Sequence, residues 1–188
     1  MTVAERFIGN LDDVVAGLPN SQRETVERLY AVRTSHGKLR APDTMQDWVR
    51  QQFGDLAAVE SQKIVRVTNH VTLEDVLYNG LRARRPLQMR ADPLFMDQIS
   101  APHGPDPLGN PLDGTPEDVF GRVWGQHSVT AANVAKLDGY SGVVVFNDYN
   151  PLAFSEEHVH DYFHAGWRWA QEAHDADSSA VYYLFMWN

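Results

Sequence analysis

Apolar and polar positions recur along this chain with two different periods, and the change from one to the other marks its organisation. Residues 1 to about 60 read as mainly helical: Leu11, Val14, Val15 and Leu18 share one face, and "SQRETVERLYAVR" opens with Ser21 as an N-cap and Glu24 three residues on. A short strand is predicted over Lys63–Val67. It is followed by a helix that Thr72 opens, with Asp75 at the capping-box spacing, and Pro86 closes. Residues 91–117 hold six of the ten prolines and no clear period, the signature of a loop or linker. Beyond Pro116 the order becomes strand, turn, strand, helix, strand: "HSVTAANVA" and "GVVVFND" flank "LDGYSG", "SEEHVHDYFHAGWRWAQEAHDAD" is helical, and "AVYYLFMWN" alternates as a last strand.

The predicted fold class is therefore α+β, an antiparallel sheet with a packed long helix, preceded by an N-terminal helical segment. Two regions follow: 1–117, helical with its proline-rich linker at 91–117, and an α+β domain at 118–188. In the long helix Ser155 is the expected N-cap, with Glu156 and Glu157 placed well against the helix dipole. Val159, Tyr162, Phe163, Gly166, Trp169, Ala170 and Ala173 form the side expected on the sheet. Asp161, His164, Arg168, Gln171 and Glu172 form the other side.

Composition narrows the partners. With 43% apolar and 22% charged residues the chain reads as globular, and no run approaches the length that spans a bilayer. Acids and Arg6 interrupt the apolar residues of the N-terminus, unlike a signal peptide, so the expected location is the cytoplasm. The absence of cysteine removes disulfides, thiolate nucleophiles and cysteine-based zinc sites. A net charge of −9 argues against broad binding to nucleic acid or anionic membrane, while local basic clusters can still hold a phosphate.

Two clusters carry candidate chemistry. His160 and His164 in "HVHDYFH" sit four apart on one helix flank, resembling a zinc-binding H-E-x-x-H with Asp161 in place of Glu. The preferred reading is the solvated flank of an amphipathic helix, since two ligands are too few for a metal. In "LRARRP", Arg82, Arg84 and Arg85 have the fork geometry that recognises phosphate, although cations closing a helix C-terminus account for them more simply. No P-loop, G-x-G-x-x-G turn or G-x-S-x-G elbow is present, so no catalytic residue, metal ligand or cofactor is assigned.

From His127 to Asn188 the succession of elements resembles the histidine-triad superfamily, in its branch of galactose-1-phosphate uridylyltransferases and diadenosine tetraphosphate phosphorylases. The matching pieces are "HSVTAANVAKLDGYSGVVVFNDYNPLAF", the helix from Ser155, and a strand ending F-x-x-N in "YLFMWN"; Gln62 to Pro86 matches more weakly. The resemblance implies a partial histidine-triad-like fold that binds a nucleotide or nucleotide-sugar. It places Asn133 on the ribose, Asn188 by the phosphate, and Lys136 or one of Arg82, Arg84 and Arg85 against phosphate charge. The family's H-x-H-x-H or H-x-H-x-Q motif, whose central histidine is the nucleophile, is missing here, as are the cysteines that hold a structural metal in some uridylyltransferases. The chain is therefore expected to be the N-terminal part of such a nucleotidyltransferase, inactive alone. Its last strand would expose an apolar edge that associates with a second copy or a complementing chain. The alternative is a non-catalytic interaction module pairing through that strand.

Overall fold

The computed structural model describes residues 7–84, 106–148, 150 and 153–187. Among them the α+β class holds, with antiparallel sheets and a long C-terminal helix. A 3-10 turn at Ile8–Asn10 leads into helix α1 (Leu11–Ala16) and then α2 (Asn20–Leu29). Strand β1 (Tyr30–Lys38) follows without a break, in a stretch where helix was expected. Helices α3 (Asp43–Phe53) and α4 (Leu56–Glu60) carry the chain to β2 (Ser61–Asn69), which lies antiparallel to β1 over its full length, Tyr30 opposite Asn69 and Lys38 opposite Ser61.

The helix expected from Thr72 is instead strand β3 (Asp75–Asn79), antiparallel to β2. Asn69 decides this: its side-chain oxygen accepts from the backbone N–H of Val71 and of Thr72, turning the chain back. Leu73 completes the turn at φ 60°. Thr72 bonds Glu74 rather than capping a helix, and Asp75 accepts from the Thr68 hydroxyl across the hairpin. The Pro86 helix end lies outside the described residues.

The principal core sits beneath α3. Met45, Val49 and Phe53 recur every four residues on its inner face and meet Leu39, Ala41, Val59 and Ala132. Burying each large side chain contributes about 1.5–3 kcal/mol. Gly54 ends the helix at φ +90°, a conformation that an L side chain adopts only under strain.

The C-terminal part begins with a short helix α5 (Pro111–Gly114) and an antiparallel pair, β4 (Ser128–Ala132) and β5 (Gly142–Phe146), joined by the predicted turn. Helix α6 (Glu156–Ala176) packs on this pair. Ser155 caps it as expected, and His158 completes the capping box by accepting from the Ser155 N–H. Tyr162, Gly166, Ala170 and Ala173 are buried as predicted, along with Ala165. No helix among the described residues is long and apolar enough to cross a membrane.

Two expectations for this region change. Asp161 is not a solvent-side residue: it turns to the loop before β4 and accepts from Gln126 N–H (2.8 Å), His127 N–H (3.0 Å) and Ser128 Oγ (2.8 Å). And residues 181–187 are not a sheet strand. They pair with no described strand and instead lay rings on α6: Tyr183 meets Trp167, Phe185 meets Phe163, and Trp187 meets Phe163. Phe163 is consequently turned to this segment rather than to the sheet.

Candidate functional site

The two sheets meet at a buried polar junction built around the connection from β4 to β5. Gln62 on β2 and Asn79 on β3 are 2% and 4% exposed, so each amide needs internal partners. Gln62 donates to the carbonyls of Val59 and Val134 (both 2.7 Å), and its own oxygen accepts from Asn79 (2.7 Å) and from the Lys136 N–H (2.9 Å). Asn79 also donates to the Lys136 carbonyl (2.8 Å) and accepts from Leu81 N–H (2.9 Å). With these partners the network is satisfied and fixes residues 134–136 to the three-stranded sheet.

Lys136 then runs inward. Its Nζ lies 2.6 Å from Asp118 Oδ1, with the two side chains 0% and 1% exposed. The second carboxylate oxygen accepts from the Trp169 indole at 2.7 Å, which ties α6 to the same centre. Burial pushes the Lys136 ammonium below its ordinary value, and the Asp118 charge opposes that shift. Gly37 makes the approach possible: a Cβ there would stand 2.8 Å from Lys136 Cδ. Lys136 therefore offers no surface to a phosphate in this conformation.

Asn133 lies at the end of β4, half-buried. Its backbone N–H donates to the Ser141 carbonyl (3.0 Å) and its Nδ2 to the Ser141 hydroxyl (3.3 Å). The side-chain oxygen has no donor among the described residues and stays available as an acceptor. Ser141 Oγ also accepts from Leu137 N–H, which closes the loop. Asp138 extends that loop to the sheet by accepting from Ser35 and pairing with Arg66, so strands β1 and β2 buttress the Asn133 side.

Arg82 and Arg84 fall in a 3-10 turn after β3. Arg82 donates to the Ala135 carbonyl (3.1 Å) and Arg84 to the Phe53 carbonyl (3.4 Å), so both stitch the chain together. Arg85 and Asn188 lie outside the described residues. His160 and His164 stack with ring centres 6.2 Å apart, and no cluster of three metal-ligating side chains exists among the described residues.

Three features escaped sequence reasoning. Arg122 donates to the carbonyls of Pro111 (2.9 Å), Thr115 (2.6 Å) and Thr130 (3.0 Å), anchoring the approach to β4; burial lowers its pKa, while Glu117 and Asp118 oppose this. The carboxyl of Asp161 is raised by burial, but the hydrogen bonds from Gln126, Ser128 and His127 outweigh that and hold it below its ordinary value. His127 and His158 lie 4.3 Å apart, and His127 Nε2 is buried with no hydrogen-bond partner among the described residues, Glu157 at 3.8 Å being too distant. No pattern in the sequence marks these, because each depends on contacts between distant segments. Comparison of the chain with known protein families, curated proteins and solved structures finds no match.

Proposed function

We propose that this chain carries the nucleotide-holding part of a nucleotidyltransferase-like protein of the histidine-triad superfamily, taking a nucleoside diphosphate sugar or dinucleoside polyphosphate. The observation that supports it is Asn133: its amide is oriented by Ser141 through Nδ2, leaving Oδ1 as a fixed acceptor for a ribose hydroxyl. Lys136 acts beneath it as a positioning residue, locking the loop through Asp118. Arg82, which holds the Ala135 carbonyl, does the same from the other side. The resemblance implies phosphate contacts for Asn188 and Arg85, which lie outside the described residues. The 188 residues contain no H-x-H-x-H or H-x-H-x-Q nucleophile, so binding without covalent nucleotidylation is the expected behaviour. Titration of the full chain with UDP-glucose and with diadenosine tetraphosphate tests this. Saturable binding that Asn133→Ala weakens supports the reading. No saturable binding up to millimolar ligand, or a nucleotidylated histidine, contradicts it.

A second reading, an interaction module, draws on residues 181–187. Tyr182, Leu184 and Met186 are 95%, 80% and 69% exposed while the rings between them lie on α6. An apolar segment with both sides hydrophobic has the composition of a strand covered on two faces. Concentration-dependent association lost on replacing Leu184 and Met186 with Lys favours this reading; a monomer at all concentrations removes it.

A further inference from the structure

A shallow cleft of about 370 Å³ opens where the chain between β1 and α3 meets the segment around α5 and Trp124. That volume sits at the low end of small-ligand pockets, about 300–1,000 Å³. Trp124 is 55% exposed, yet its backbone is fixed by a bridge to Val129, and its carbonyl accepts from Arg168 at 3.2 Å. An indole held open on a rigid support is a stacking surface. Pro42 and Leu112 add apolar lining.

The polar groups beside it are a donor and an acceptor set next to each other. Arg40 and Glu117 exchange two backbone hydrogen bonds (2.9 and 3.0 Å), which places their side chains together. The guanidinium and carboxylate stand 3.9 Å apart, too far for a hydrogen bond; neither side chain makes another hydrogen bond among the described residues, and Glu117 also lies in the field of Arg122. Arg122 also lines the cleft; its hydrogen bonds go to carbonyl and hydroxyl oxygens, and its charge is felt by Glu117 and Asp118.

We infer that this cleft binds a planar heteroaromatic ring carrying an N–H beside a carbonyl, the edge that a uracil-type base presents. The ring stacks on Trp124, its N–H donates to Glu117, and its carbonyl accepts from Arg40. The site is separate from Asn133 and uses none of the residues assigned there.

Uridine and 3-methyluridine are the probes, because the methyl group removes the ring N–H and leaves the rest of the ligand in place. Each is titrated against the full chain by ligand-observed NMR. Uridine should bind saturably and 3-methyluridine at least about tenfold more weakly, since a site built to accept an N–H is left unpaired without it. Trp124→Ala should weaken uridine by at least about tenfold, and Trp124→Phe, which keeps a ring, by less. Glu117→Ala should erase the preference for uridine over 3-methyluridine. Circular dichroism confirms that each variant is folded. Equal binding of the two probes, no saturable uridine binding, or uridine binding that ignores Trp124→Ala overturns the inference. Uridine binding lost in Asn133→Ala and kept in Trp124→Ala would overturn the cleft and leave the Asn133 reading standing.

Discussion

Lys136→Met tests the junction that holds the Asn133 loop. The side chain is 0% exposed and its ammonium faces Asp118 at 2.6 Å, so the methionine keeps much of the volume and removes the charge. Asp118, 1% exposed, is left with the Trp169 indole as its side-chain partner. Removing one member of a buried pair costs about 3–5 kcal/mol, because the other stays buried and uncompensated. For a chain of this length that is a fall in melting temperature of about 6–20 °C. Asp118→Asn should cost a similar amount. The double variant should recover most of the loss, because it leaves no unpaired charge and the new amide oxygen can still accept from Trp169. Urea unfolding of the wild type, both singles and the double gives the coupling. Additive losses, or a Lys136→Met cost under about 1 kcal/mol, would refute the reasoning, since either would mean that the pair is not what holds the centre together.

Asp161→Asn should destabilise the chain by about 1–3 kcal/mol near neutral pH, because an amide cannot accept all three hydrogen bonds. The Asp161 carboxyl is held below its ordinary value. Its contribution is therefore full above about pH 4 and is lost as pH falls through the folded-state value. Wild type and variant should converge in acid; a constant difference down to the lowest pH would count against it. Gly166→Ala would place a Cβ 2.0 Å from the Phe185 ring, so the aromatic segment should lift off α6. Proteolysis within 181–187 should accelerate and Trp187 emission shift to the red, with global stability changed by less than about 1 kcal/mol as helix propensity offsets the lost contact. Gly37→Ala meets Lys136 Cδ at 2.8 Å and Ile64 Cδ1 at 3.2 Å and should cost about 1–3 kcal/mol by thermal unfolding; a neutral result would mean that the strand gives way there.

Helix α6 was legible because three independent signals agree in it: a Ser N-cap, acids in the first turn, and a small and aromatic stripe at the helical period. The pair β4 and β5 was legible from its β-branched runs around Asp138-Gly139. Strand β1 was hidden because both of its faces bind through polar groups. Thr34 donates to Asp12 on one side and Ser35 to Asp138 on the other, leaving no apolar alternation to read. Strand β3 was hidden because Thr72 and Asp75 imitate a capping box, while the deciding turn belongs to Asn69. Residues 181–187 show the limit of periodicity in the other direction. The alternation is real, with Tyr183, Phe185 and Trp187 on the helix, but alternation specifies faces and does not supply a partner strand. At the candidate site, the resemblance singles out Asn133 and Lys136, but the pairing of Lys136 with Asp118 was not legible, since it joins two residues that no local pattern links.

The most direct test of the account is a backbone-resolved NMR titration of the full chain with UDP-glucose. The account predicts saturable shifts centred on Asn133, Ser141 and the loop between them, abolished in Asn133→Ala while that variant stays folded. Shifts confined to residues outside that loop, loop shifts that Asn133→Ala leaves intact, or no shifts up to millimolar ligand would contradict it.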